Sequence, residues 1–98
     1  MSFADLEDRA NAAVMQRLAN ARALKVGDVN DFPVIFRHVY IETQNGAGAT
    51  RPVATALDTD IPGFVSESTE VVIRGITYAV RNLQPDGTGL TVMVLEEA

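Results

Sequence analysis

Residues 70–97, EVVIRGITYAVRNLQPDGTGLTVMVLEE, decide the fold. Three runs rich in Val, Ile, Thr and Tyr are separated by two turn signals, which predicts strands at 70–74, 76–83 and 90–96. The first turn is tight. Gly75, between Ile73-Arg74 and Ile76-Thr77, supplies the positive φ that a short hairpin demands. The second, Pro85-Asp86-Gly87-Thr88-Gly89, combines a proline that presets φ with flexible glycines. In 90–96, Leu90, Val92 and Val94 point one way, and Met93 and Leu95 the other. A strand that is apolar on both sides needs cover on both faces.

Working upstream, the same short-run pattern predicts strands at 23–26, 34–41 and 53–58, divided by Gly27-Asp28, by Asn45-Gly46-Ala47-Gly48 and by Ile61-Pro62-Gly63. In 34–41, Val34 and Phe36 oppose Ile35 and Val39, so this strand too has two apolar sides. The segment 43–52, TQNGAGATRP, has no apolar pattern and reads as a long loop between strands, mobile until a partner fixes it. Its polar residues Gln44, Asn45 and Arg51 are the candidate contacts, since binding residues concentrate on loops.

Residues 3–22 predict one amphipathic helix. Ser2 can act as N-cap, with Asp5 three residues on, and Asp5, Glu7 and Asp8 favour the N-terminal end of the helix dipole. Phe3, Leu6, Ala10, Ala13, Val14, Arg17, Leu18 and Ala21 share a face at three- and four-residue spacing. Much of that face is alanine, so it should pack closely on a flat surface or on a copy of itself. The fold class is therefore mainly β with an N-terminal α-helix: a small antiparallel β-barrel or sandwich over 23–98, in one domain of 98 residues. The outer face of the two-sided strands would be covered by the helix or by a neighbouring subunit.

Composition narrows the function. The hydrophobic fraction of 47% and charged fraction of 21% are those of a globular protein. With no cysteine, disulfides and thiolate metal sites are excluded, and a reducing compartment is suited. The N-terminus has no continuous apolar core of a secretory signal, and no apolar run approaches the roughly 18 residues of a membrane span; a soluble protein is expected. The net charge is −5, with Lys25 the single lysine and seven scattered arginines. Backbone phosphates are bound by clustered cations, so a nucleic-acid binder is not expected.

The residues for chemistry are sparse. His38 is the only histidine, next to Arg37 in a predicted strand, and no Gly-x-Ser-x-Gly elbow exists. The acidic pairs Glu7-Asp8, Asp58-x-Asp60 and Glu96-Glu97 lack the spacing of a calcium loop, and Ile-Pro-Gly-Phe follows Asp60. Gly46-Ala-Gly48-Ala-Thr50-Arg51 matches neither phosphate-binding glycine motif and opens no predicted helix. No catalytic residue, metal site or cofactor is expected, and the protein is read as not an enzyme.

The C-terminal stretch as a whole, with Gly75, Tyr78, Pro85, Asp86, Gly87 and Leu95 at its turns and strands, resembles the end of lambda-type bacteriophage head–tail joining proteins and their prophage relatives. Asp60-Ile61-Pro62-Gly63 is similar to the middle of that family, and the alanine-rich helix with Phe3 and Leu6 to its start. One departure is Ser66-Glu67-Ser68-Thr69, where relatives often carry Gly-Asp. The resemblance implies a structural protein of virion assembly, a head–tail connector that adds at the portal vertex and creates the surface for tail docking. It implies head-completion, portal and tail proteins as partners, self-association into a ring through which the genome passes, and a place in the virion, reached from the host cytoplasm. The alternative is a non-catalytic cytoplasmic β-domain that binds proteins unrelated to virions.

Overall fold

The computed structural model describes residues 3–42 and 48–98. One helix, α1 (Phe3–Leu18), precedes six strands: β1 (Ala21–Lys25), β2 (Phe32–Glu42), β3 (Gly48–Leu57), β4 (Glu70–Ile73), β5 (Ile76–Pro85) and β6 (Leu90–Glu97). A 3-10 turn, Asp58–Asp60, follows β3. The strands close into an antiparallel barrel in the order β1-β2-β3-β6-β5-β4. Closure settles the choice between sandwich and barrel, and it leaves the body of the sheet without a free edge.

Alternation fills the interior. Ala23, Phe32, Val34, Phe36, Ala54, Ala56, Val71, Ile73, Tyr78, Val80, Met93 and Leu95 form one buried cluster with Ile61. Every strand contributes alternate residues, as a period of two requires. The alanines at 23, 54 and 56 leave room for Phe32, Phe36 and Tyr78, whose rings meet or lie near one another: Phe36 and Tyr78 are 5.7 Å apart. The register of β5 against β6 shifts between Val80 and Asn82. This bulge passes Arg81 to the outside while Leu83 still packs on the core.

The two ends of the barrel differ. At one end the chain must cross from β3 to β4, which are not neighbours. The crossing, residues 58–69, closes that end with buried Ile61 and with Phe64, edge-on to Phe32 at 6.0 Å. At the other end β2 and β3 run on together, from Ile35↔Thr55 to Glu42↔Gly48. The β3–β6 pairing reaches only Val53↔Val94, and the β1–β2 pairing only Ala21↔Val34. Residues 39–42 and 48–52 thus form a two-stranded arm beyond the barrel body.

Three expectations change. The helix stops at Leu18, four residues before the predicted end, because the next residues are drafted to close the barrel: β1 pairs with both β2 and β4, and Ala23 is fully buried. The segment 48–52 is strand, not loop. Its lack of apolar pattern reflects its position outside the core, where only the backbone ladder holds it. The candidate contacts Gln44 and Asn45, and the proposed cap Ser2, lie outside the described residues.

The third change is the helix face. α1 lies on the outside of β2 and β3, but it is seated on Met15, which is 1% exposed. The Asn11 carboxamide donates to the carbonyl of Thr88, beside Gly89, where any Cβ would lie 2.6 Å from that carboxamide. Met15 and Val53 are both buried outside the interior cluster. The stripe of Leu6, Val14 and Leu18 faces away, at 54%, 41% and 59% exposure.

Candidate interaction surfaces

The junction between helix and barrel is built on Asn20. Its carboxamide accepts from the Phe36 N–H at 2.7 Å and donates to the Phe36 carbonyl at 2.8 Å. The side chain does what one more residue of β1 would have done, satisfying both backbone groups of Phe36 where the β1–β2 pairing has stopped at Ala21↔Val34. Arg74 completes the junction. It donates to the Asn20 carbonyl at 3.0 Å, and its guanidinium lies 5.6 Å from the centre of the Phe36 ring. Arg74 and Gly75 both have positive φ, 54° and 81°. A two-residue turn with both central φ values positive matches the right-handed twist of the strands it joins. The sequence points to glycine at 75; that Arg74 shares the left-handed conformation has no signal in its residue type.

The arm end carries Arg51, exposed and opposite Val39, with Arg37 diagonal to it on the same face, opposite Val53. Tyr40 is 65% exposed. In the angle between arm and barrel lies a cleft of about 410 Å³ lined by His38, Thr50, Arg51, Pro52, Tyr78, Leu95, Glu96 and Glu97. His38 is exposed and edge-on to Phe36 at 5.4 Å. Nearby, Arg81 on the bulge bridges Glu67 at 2.8 Å and Glu96 at 2.9 Å. Hydrogen bonds to Glu67 and then Glu96 push its pKa up further from an already high value.

The capped end is of another character. Val29, at the tip of the β1–β2 turn, is 92% exposed, and Val26 and Val65 stand out beside the cap. The Lys25 ammonium lies 5.5 Å from the centre of the Phe64 ring. Arg22 and Asp31 pair at 2.9 Å. A groove of about 770 Å³ runs between the helix and this part of the wall, lined by Met15, Gln16, Arg22, Pro33, Leu57 and Asp60 among others. Burial in it pushes the Asp60 carboxyl up, partly offset by Arg22. The β5–β6 turn at this end is ordered by Asp86, whose carboxylate accepts from the Thr88 hydroxyl at 2.7 Å, the Thr88 N–H at 2.8 Å and the Leu90 N–H at 3.3 Å. Those bonds, the Thr88 hydroxyl foremost, hold the Asp86 carboxyl below the usual carboxylate range.

Among the described residues no three His, Cys, Asp or Glu side chains come together as a metal site, and no helix is long and apolar enough to cross a membrane. What the surface offers is two ends fit for contact: an arm that bears exposed Tyr40 and Arg51, and a tip that bears exposed Val29.

A family model described as phage head-tail attachment protein matches residues 3–96. The chain belongs to that family. Comparison with curated proteins gives no match. The family match runs from the first turn of α1 to β6, so helix, barrel and arm are all within the head-tail attachment module. At Ser66-Glu67-Ser68-Thr69 the turn forms without glycine. Glu67 itself takes φ 71°, its N–H donates to the Val80 carbonyl at 2.8 Å, and the Thr69 hydroxyl accepts from the Val65 N–H at 2.9 Å. Membership makes this a phage structural protein whose setting is the virion, working with head and tail components. The sequence reading missed Asn20 and Val29. Asn20 had no signal, but Val29 did: a lone aliphatic residue in the turn Gly27-Asp28-Val29-Asn30-Asp31 has no local reason to be there.

Proposed function

We propose that this protein joins head to tail by binding alone, as a two-ended adaptor at the portal vertex. The supporting observation is the placement of the arm and the Val29 tip at opposite ends of a closed barrel. A closed sheet is stiff, so it can hold two unlike surfaces at a fixed separation, one for the head side and one for the tail side. The arm binds through Arg51, with Gln44 and Asn45 on the connection it carries, and Arg51 pairs with a carboxylate on the partner. The capped end binds through Val26, Val29 and Val65.

Copies of the chain form a ring in the virion, because a portal's rotational symmetry is matched by repeated head-to-tail contacts that close. The half-buried outer faces of β2 and β6 are suited to that contact. With a net charge of −5, the bore carries mainly carboxylates and lets the genome pass without sticking. Of the arginines, Arg74 and Arg81 are already engaged within the chain. The protein is made in the host cytoplasm and used in the virion.

Electron cryomicroscopy of virions tests this reading. It requires density for a ring of these barrels between portal and tail, with arm and Val29 tip on opposite sides. A single copy per particle, or a ring with Arg37, Arg74 and Arg81 all lining the bore, overturns it.

A further inference from the structure

We propose that free copies of this chain pair edge to edge through the β2 side of the arm, as a two-fold antiparallel dimer centred on Tyr40. Backbone direction carries the inference. The Val34 carbonyl accepts from the Asn20 N–H, and the Asn20 side chain holds both the N–H and the carbonyl of Phe36. Even-numbered residues of β2 therefore present their backbone groups to the β1 side. The β2–β3 register runs unbroken from Ile35↔Thr55 to Glu42↔Gly48, and successive strand residues alternate the edge they face. His38, Tyr40 and Glu42 thus point away from β3. On that side β1 has stopped at Ala21↔Val34. Among the described residues no hydrogen bond reaches the outward backbone groups of His38 or Tyr40. An open edge of this kind is a template for another strand.

The other edge of the arm is not equivalent. Val39↔Arg51 and Arg37↔Val53 turn the odd residues of β3 towards β2, so Pro52 faces the opposite way, and it has no N–H to offer. On the β2 edge, the register selects the occupant. Asn20 fills the edge at Phe36, so an added strand begins at His38. A second copy laid antiparallel meets all three outward residues in one alignment: His38 opposite Glu42, Tyr40 opposite Tyr40, and Glu42 opposite His38. Each such pair exchanges both of its N–H···O bonds. Between them Val39 lies opposite Ile41. The stretch His38-Val39-Tyr40-Ile41-Glu42 thus falls on itself when reversed. It matches aromatic with aromatic, aliphatic with aliphatic and base with acid, the pairings that stabilise antiparallel strands. Tyr40, on the axis, is 65% exposed in the single chain. A slip of two residues towards the barrel drives the second copy into Asn20, and a parallel copy sets His38 beside His38 and Glu42 beside Glu42.

The contact is short. The paired stretch spans about 17 Å, too little to reach the roughly 1,200 Å² of total buried surface that stable complexes use. The dimer is therefore weak, with a dissociation constant on the order of 0.1–1 mM. An isologous contact closes at two chains, so it is separate from any ring contact. It covers the open edge of the arm in the free protein, and it stands or falls independently of the adaptor reading.

Sedimentation equilibrium of the full chain from micromolar to millimolar concentration, with amide exchange against water followed by NMR over the same range, tests the proposal. The wild type should show a monomer–dimer equilibrium. The His38 and Tyr40 amides should exchange about twofold or more slowly at the top of the range, where much of the chain is paired. The Val39 amide, already in the β2–β3 ladder, should not change with concentration. Tyr40→Lys sets two ammonium groups opposite each other on the axis; it should raise the dissociation constant about tenfold or more with Tm nearly unchanged. Leu18→Ser, on the helix, should leave the dimer as it is. A wild type that stays monomeric through the millimolar range overturns the proposal. So does a dimer that Tyr40→Lys leaves intact, one that Leu18→Ser abolishes, or one that forms without slowing the His38 and Tyr40 amides.

Discussion

Replacing Asn20 by Ala removes the two hydrogen bonds that join the helix to the barrel. Both run to Phe36, one accepting its N–H and one donating to its carbonyl, at 2.7 and 2.8 Å. A hydrogen bond of this kind contributes about 1 kcal/mol net. Asn20 is itself exposed, so water can reach the vacated groups and the penalty for burying them unpaired is not added in full. The expected loss is about 1–2 kcal/mol. For a domain of this size each kcal/mol lowers Tm by about 4–8 °C, so the variant should melt about 5–15 °C below wild type. Asn20→Asp separates the two bonds, because the carboxylate keeps the acceptor and discards the donor. It should lose at least half as much at neutral pH. Thermal melts by circular dichroism decide. An Asn20→Ala protein that melts within a degree or two of wild type would refute the account of Asn20 as a surrogate for one more residue of β1.

Four further outcomes are expected. Met15→Ala should destabilise by about 2–4 kcal/mol in urea unfolding, since Met15 is 1% exposed and is the side chain that seats the helix; a smaller effect would mean the helix is held elsewhere. Asp86→Ala should lower Tm at neutral pH, and the gap to wild type should close on acidification. The Asp86 pKa is lowered, so its contribution is full above the ordinary value of 3.8 and is lost as pH falls through the lowered one. Asp60→Asn should have the opposite sign. Burial raises the Asp60 pKa, so the charged form is disfavoured in the fold; the variant gains stability at neutral pH, and the gain vanishes as pH drops below 3.8. Val29→Asp should leave Tm unchanged, because the side chain is 92% exposed, while reducing the yield of joined particles in a complementation assay.

Much of the fold was legible because it rests on local signals. Five of the six strands carry runs of Val, Ile, Thr and Tyr over at least part of their length, whereas β1, ARALK, has none of these residues; Gly75 and Pro85-Asp86-Gly87 mark the two hairpins between β4, β5 and β6. The family was legible from the same turns. What could not be read depends on contacts distant in sequence. Nothing around Leu18 stops a helix; it ends because residues 21–25 are needed to bridge β2 and β4. Nothing in Gly48-Ala-Thr-Arg-Pro52 suggests a strand, since a ladder of backbone hydrogen bonds needs no apolar side chain. The apolar stripe was read as the packing face, but the helix is held to the barrel by Met15 and Asn11, which lie beside that stripe and were not among its residues. Of the candidate contacts, Arg51 is placed on the arm, whereas Gln44 and Asn45 lie outside the described residues.

The central claim is that this chain connects finished heads to finished tails by binding. It is tested most directly by adding the purified protein to a lysate of the phage lacking its gene, and counting joined particles by electron microscopy. Unjoined DNA-filled heads and complete tails should accumulate in the lysate, and the protein alone, with no nucleotide or metal added, should convert them to joined, infectious virions. Heads and tails that join normally without it, or that stay apart when it is supplied, would contradict the account.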